Sequence, residues 1–351
     1  MAALYVGMVM TVEGAISPEQ LGTTLIHEHL FMDATPLLRK HGYVLEASGV
    51  FDCCAAAEAR WNPGVHQDNY RLSELDDIAS DLADYELHGG VSVVECTPVD
   101  LGRNPEAVRQ IANRAGVRAV LGSGYYLEAT HEPYIRNRSA QEIAEEIIQE
   151  FAEGIGTTGI RPGMIGEIGT SDPMTRSEQT ILEAATRAGL ATGLPVSVHI
   201  HPWGWQGHKA LRILKEGGMP ATRIILNHMN TAISDEAYQC GLLDEGAYLS
   251  YDLFGFDHSA LGLGRYVPSD FDVAGRIVEL ISHGYRDQIL ISQDIGVRTR
   301  LRKYGGWGYS HILRHVVPLL KQRGATSEDV EALLVANPQR VLTIQPLIAH
   351  L

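Results

Sequence analysis

Short apolar stretches, many of them β-branched and each closed by a polar or turn-forming residue, recur along this chain with room for a helix between neighbours. They run from Leu25 to Leu30, Val91 to Thr97, Val117 to Gly122, Met164 to Gly169, Val196 to His201, Ile224 to His228, Tyr248 to Leu253 and Ile289 to Asp294. Strands apolar on both faces belong in a sheet that is covered on both sides. The intervening segments Ser73 to His88, Pro105 to Arg114, Ser139 to Glu153, Glu178 to Ala191 and Phe271 to His283 carry helical periodicity. Ser73 with Asp76 and Ser139 with Glu142 have capping-box spacing, and Ser177 before Gln179 offers a looser version. Gly89-Gly90, Gly116, Gly189 and Gly217-Gly218 stand where helices should stop. Eight strand–helix units predict an α/β fold, a (β/α)₈ TIM barrel, as a single domain over residues 1–351. A doubly wound open sheet is the competing architecture, but no glycine-rich phosphate turn follows the first strand. Two stretches break the rhythm: a long excursion over 31–72, containing Trp61-Asn62-Pro63-Gly64 and room for short helices, and a glycine-rich loop over 253–270.

Composition narrows the class of protein. A chain of 351 residues, 45% hydrophobic, can bury a large core. A net charge of −15 argues against nucleic acid and anionic membrane as partners, which need a concentrated basic face. No stretch approaches a membrane span, and no basic and apolar leader opens the chain. The four cysteines, Cys53-Cys54 adjacent and Cys96 and Cys240 far apart, form neither a disulfide framework nor a zinc-finger spacing. A cytoplasmic protein acting on a small molecule is the expectation.

The chemistry gathers where the apolar runs end, which in a barrel of this kind is the active-site face. His27 and His29 alternate with Glu28, so the two imidazoles share one face and Glu28 takes the other. The fourth run carries Glu167, the fifth His199 and His201, the sixth His228 and the eighth Asp294. A lone strand-end histidine is usually a hydrogen-bonded structural residue. Six ligand-type residues from five strands are costly to bury together without a metal or mutual pairing. They suit two divalent ions: His27, His29 and Asp294 on one, His199 and His228 on the other, Glu167 between. Imidazole-rich ligation favours zinc, with manganese, cobalt or iron also admissible.

These residues resemble the phosphotriesterase-related branch of the amidohydrolase superfamily. The resemblance rests on Gly22-Thr23-Thr24-Leu25-Ile26-His27-Glu28-His29, Ile165-Gly166-Glu167-Ile168-Gly169, Val198-His199, Asn227-His228 and Ile291-Ser292-Gln293-Asp294. It continues through Tyr304-Gly305-Gly306-Trp307-Gly308-Tyr309-Ser310-His311 to Asn337-Pro338-Gln339-Arg340-Val341-Leu342. It implies a binuclear metal hydrolase on a (β/α)₈ barrel, the same six ligands, and a homodimer. One departure stands out. Well-known members bridge their metals with a carboxylated lysine, whereas Glu167 holds that position and none of Lys40, Lys209, Lys215, Lys303 and Lys321 lies in that strand. A glutamate bridge resembles another branch and weakens the case for strong phosphotriesterase activity.

The expected mechanism is attack by a metal-bridging hydroxide, with Asp294 as both ligand and proton acceptor. Carboxylic esters, lactones first, are the leading substrates; phosphotriesters and N-acyl amides are alternatives, and a non-catalytic small-molecule binder is the alternative of another class. Tyr125, Tyr126, His201, Trp203 and Trp205 are candidates for the pocket wall, and His258 for a proton relay. Arg298 leads a basic cluster with Arg300, Arg302 and Lys303 that could anchor a substrate anion or pair with surface acids.

Overall fold

Eight parallel strands pair side by side in chain order, each with the next, in the computed structural model of the chain. The structure describes residues 4–40, 50–62, 65–256 and 266–346. The strands are β1 (Thr24–Glu28), β2 (Ser92–Glu95), β3 (Arg118–Ser123), β4 (Met164–Thr170), β5 (Val196–Ile200), β6 (Ile224–Leu226), β7 (Tyr248–Tyr251) and β8 (Ile289–Ile291). Each falls inside, or within a residue of, one of the eight apolar runs. Ile26, Val94, Val120, Met164, Ile225 and Leu290, from six different strands, meet Val9 and Leu21 in a buried cluster of their own. That cluster fills the barrel; the larger one lies between the sheet and its helices.

Helices occupy the periodic segments at Leu75–Leu87, Pro105–Ala115, Ala140–Glu153, Arg176–Thr192 and Asp270–Ser282. Their ends differ in part from the sequence reading. Ser139 and Glu142 form the reciprocal capping box. The first of these helices instead has Glu74 as its N-cap residue, without a side-chain cap. The fourth is capped by Thr175 with Glu178, two residues before Ser177, which lies inside the helix. Gly189 lies within that helix, which stops at Gly193 in a left-handed conformation (φ 78°).

The excursion after β1 leaves and returns at one place, because Met32–Asp33 pairs antiparallel with Arg71–Leu72. Between them run short helices at Thr35–Lys40 and Cys53–Trp61. No helix is long and apolar enough to cross a membrane among the described residues.

Closure of the barrel is the least regular part of the sheet. β8 and β1 do not form a standard ladder. Their ends are joined by the Asp294 amide donating to His27 O (3.2 Å) and the His27 amide donating to Ser292 Oγ (3.1 Å). The fully buried Glu28 carboxylate completes the join. It accepts from Ser292 Oγ (2.7 Å), the Gln293 amide (3.0 Å) and the Ile295 amide (3.0 Å). Burial pushes this carboxyl up, and those donors oppose the rise. Removing the carboxylate strands buried donors, each costing about 1–3 kcal/mol. Glu28→Ala is therefore expected to lower unfolding free energy by about 3 kcal/mol or more, read from the urea midpoint of metal-free protein. A change below about 1 kcal/mol would mean the closure does not rest on this clasp.

Candidate metal centre

Two irregularities in the sheet set the first side chains. The pairing of β1 with β2 slips between Leu25 and Glu28, and that of β4 with β5 slips between Ile165 and Ile168. Such slips re-aim side chains beside functional sites. They fall at His27 and at Glu167. Gly166, at φ 123°, runs so close to Ser197 O that a side chain there would collide with it. Glycine at this position is a packing requirement.

The ends of β6 and β8 supply the next two residues at a cost. His228 (φ 65°) and Asp294 (φ 52°) both sit in the left-handed region, which non-glycine residues seldom adopt. Each such residue costs on the order of 1–3 kcal/mol. Anchored amides hold them there: His228 N donates to Asp252 Oδ1 (2.9 Å), and Asp294 N to His27 O (3.2 Å).

Glu167 lies at the middle of what results. Its Oε1 is 3.4 Å from His29 Nε2 and 3.7 Å from His27 Nε2. Its Oε2 is 3.2 Å from His199 Nδ1 and 3.6 Å from His228 Nε2. Asp294 Oδ1 approaches His29 Nε2 (3.1 Å) and His27 Nε2 (3.6 Å). One carboxylate thus divides its oxygens between two groups of side chains. His27, His29 and Asp294 could hold an ion, as could His27, Glu167 and His228. Asp294 is the least covered of the six, at 17% side-chain exposure, and faces a cavity of about 340 Å³.

Electrostatics favour positive charge in this cup. Burial pushes the Glu167 carboxyl up, but the imidazoles of His27, His199, His228 and His29 outweigh it and hold it well below the usual range. Asp294 is lowered in the same way, burial being overcome by His27 and His29. Burial acts to lower His27, yet the negative groups around it, Glu167 and Asp252 among them, raise it well above the usual histidine value. The carboxylates demand cations, whether imidazole protons or metal ions. Among the described residues, both ring nitrogens of His27, Glu167 Oε2 and Asp252 Oδ2 lack hydrogen-bond partners. Buried donor atoms of this kind, aimed at one another without hydrogen bonds, fit divalent ions.

Residues 7–342 match the model of the phosphotriesterase family. The chain belongs to that family. It is similar to the N-acetyltaurine hydrolase of Danio rerio, 35% identical, with 97% of this chain and 99% of that protein covered. Among solved structures it resembles a resiniferatoxin-binding protein from Rhodobacter sphaeroides: TM-score 0.91, 37% identity, 96% of this chain and 95% of that one. It also resembles the phosphotriesterase homology protein of Escherichia coli, which was solved with phosphate in its active site. There the TM-score is 0.78 at 27% identity, covering 92% of this chain and 99% of that one.

In this phosphotriesterase-family chain the pocket candidates divide. Tyr126 and Trp203 line the cavity, and the Tyr126 hydroxyl is 3.1 Å from His199 Nδ1. Tyr125, His201, Trp205 and Arg298 are not among its lining residues. Tyr125 turns under the barrel wall to donate to Glu146 (2.7 Å). β5 ends at Ile200, so alternation no longer aims His201, whose Nδ1 instead accepts from the Trp203 amide (3.3 Å). Trp205, itself left-handed (φ 51°), stacks on Tyr238. Arg298 points outward to Arg71 O (2.7 Å) and Glu74 (3.5 Å), away from any substrate anion. His258 lies outside the described residues.

The structure adds residues that sequence reasoning passed over. Asp252, just beyond β7 and fully buried, accepts from His228 Nδ1 (2.9 Å) and lies 3.6 Å from His27 Nδ1. It thereby leaves Nε2 of both rings facing the cup. It interrupts the apolar run from Tyr248 to Leu253 one residue before its end, so the signal was present and uncollected. Behind His29, Nδ1 meets Thr97 Oγ1 (2.8 Å), which donates to the buried Glu95 (2.6 Å). Outer partners of this type typically contribute 10–100-fold in metal affinity. Asp252→Asn is expected to weaken metal binding by about that factor, measured by chelator competition. Unchanged affinity would leave Asp252 a purely structural residue.

Proposed function

We propose that this protein is a two-metal hydrolase of acyl compounds. His27, His29 and Asp294 would hold one divalent ion and His199 and His228 the other, with Glu167 between the two groups. The observation that carries the reading is the buried Glu167 carboxylate, whose two oxygens face separate imidazole groups at the closed end of a cavity. The imidazole-rich donor set favours zinc. When bound, such ions supply Lewis acidity that activates water and polarises the substrate's carbonyl.

The chain's own residues do the rest. Asp294, the least covered of the six side chains and a lining residue of the cavity, takes the proton released on attack and passes it outward. Asp252 keeps the His228 ring in the orientation that leaves Nε2 toward the centre. Tyr126 keeps a hydroxyl at the cavity wall, where it can donate to a substrate oxygen. The scissile bond is a carboxylic ester, lactones included, or an N-acyl amide. Whole-length similarity to an N-acetyltaurine hydrolase favours the amide. Phosphotriesters rank behind both.

The test is Asp294→Asn in metal-loaded protein, assayed on matched lactone, ester and amide substrates. The variant should keep most of its metal, while kcat falls about 10²-fold or more, the scale of a lost general base. Near-normal kcat in a metal-replete variant would remove Asp294 from proton transfer. Failure of the parent enzyme to turn over any acyl substrate would remove the hydrolase reading itself.

A further inference from the structure

We propose that Asp100 and His131 are positioning residues for Tyr126, holding its phenol at the cavity wall beside His199 so that a bound substrate meets a fixed donor. This rests on the hydrolase reading above and adds to it two buried titratable groups outside the proposed ligand set. Asp100 sits in the short helical turn Val99–Leu101 that follows β2, and His131 in the segment that follows β3. Their side chains are 3% and 0% exposed, and neither is a lining residue of the cavity.

Together they grip Tyr126 by both of its backbone polar groups. Its amide donates to Asp100 Oδ1 and Oδ2, each at 3.0 Å. Its carbonyl can only accept, so His131 Nε2, 3.0 Å away, carries the ring proton. Burial lowers His131 from its ordinary value, which leaves Nδ1 free of a proton to accept from Ser177 Oγ (3.0 Å). The Thr130 hydroxyl donates to Asp100 Oδ2, and the His131 ring lies 4.0 Å from the same oxygen. β4 supplies the remaining side. Gly169 N donates to Tyr125 O (3.2 Å), and a side chain on Gly169 would collide with the Tyr126 backbone. Leu101, next to Asp100, packs with Met32 and Ala34 against Tyr126.

Residue 126 is thus fixed by segments at the ends of three consecutive strands. With its backbone pinned, Tyr125 turns behind the wall to Glu146, and the Tyr126 hydroxyl stands 3.1 Å from His199 Nδ1. A carboxyl and an imidazole are costly to bury, and well-packed apolar residues would serve stability at least as well. What the polar pair supplies is direction. A donor held where charge develops is worth more in the transition state than in the bound substrate, so losing its placement lowers kcat more than it raises KM. Misplacement by about 1 Å can cost about 10²-fold.

The experiment uses the metal-loaded full chain, the lactone, ester or amide it cleaves fastest, and 3-fluorotyrosine at position 126 as a spectroscopic reporter. Asp100→Ala should lower kcat by about 10- to 100-fold, with KM and metal content little changed. Asp100→Asn, whose amide oxygen still accepts from the Tyr126 N–H, should recover most of that loss. His131→Phe, which keeps a ring but no donor, should act in the same direction as Asp100→Ala. In a Tyr126→Phe background the cost of Asp100→Ala should shrink to less than about threefold, because the hydroxyl it places is gone. The fluorine resonance, single and sharp in the parent chain, should shift or broaden in Asp100→Ala and in His131→Phe. If Asp100→Ala does not fold, His131→Phe carries the same readouts. An equal cost with and without the Tyr126 hydroxyl, or an unchanged fluorine spectrum in the folded variants, would overturn the proposal. Metal lost together with kcat would overturn it too, by assigning the effect to the metal centre. A parent chain that cleaves no acyl substrate would remove the hydrolase reading alone, and the fluorine spectrum would still decide whether the two residues place the phenol.

Discussion

The cost of burying charge governs this molecule. Glu167, Asp252 and Asp294 all lie within reach of the same cluster of imidazoles, in a cup walled off from water on most sides. Carboxylates so placed are unfavourable unless positive charge stands beside them. Imidazole protons can supply some of it, and His27 and His29 are both biased toward taking one. Divalent ions would supply more, and His27 and Glu167 carry buried donor atoms with no hydrogen-bond partner among the described residues. The barrel provides a rigid frame in which this unfavourable arrangement persists.

The frame's irregular features cluster around the cup. The register slips in β1 and β4, the left-handed His228 and Asp294, and the non-ladder closure of β8 on β1 all occur within a few residues of proposed ligands. Each departs from ideal geometry, and each is held by buried hydrogen bonds. Glu28 fixes the segment that carries Asp294, while Asp252 fixes both the backbone and the ring of His228. Strain concentrated at a site and compensated in its surroundings is the pattern expected where side-chain aim matters more than stability.

The barrel was legible in the sequence because eight apolar runs, each too short for a helix, alternated with periodic segments. Glu167 and the five residues around it were legible for a related reason: each closes or interrupts such a run, where a polar side chain is conspicuous. Asp252 was equally conspicuous but was absorbed into the run from Tyr248 to Leu253 that it interrupts. Helix caps were harder to read, because Thr175 and Ser177 both have suitable chemistry and only the backbone path decides between them. The pocket wall was not legible. Tyr125 and Tyr126 are adjacent, yet one lies behind the wall and the other lines it. Arg298 follows a lining residue and still points outward. Met32, Ala34 and Leu37 reach the cavity only because the excursion after β1 folds back over the barrel mouth. Such contacts depend on loop geometry, for which the sequence has no periodic signal.

The central claim is that Glu167 stands between two ions. Metal-specific anomalous diffraction from crystals of the protein, with elemental analysis of the same preparation, addresses it without reference to any substrate. The account predicts two anomalous peaks per chain, one beside each Glu167 oxygen. The peak at Oε1 should be grouped with His27, His29 and Asp294, and the peak at Oε2 with His199 and His228. A single peak in fully loaded protein, or two peaks that both avoid Glu167, would contradict it.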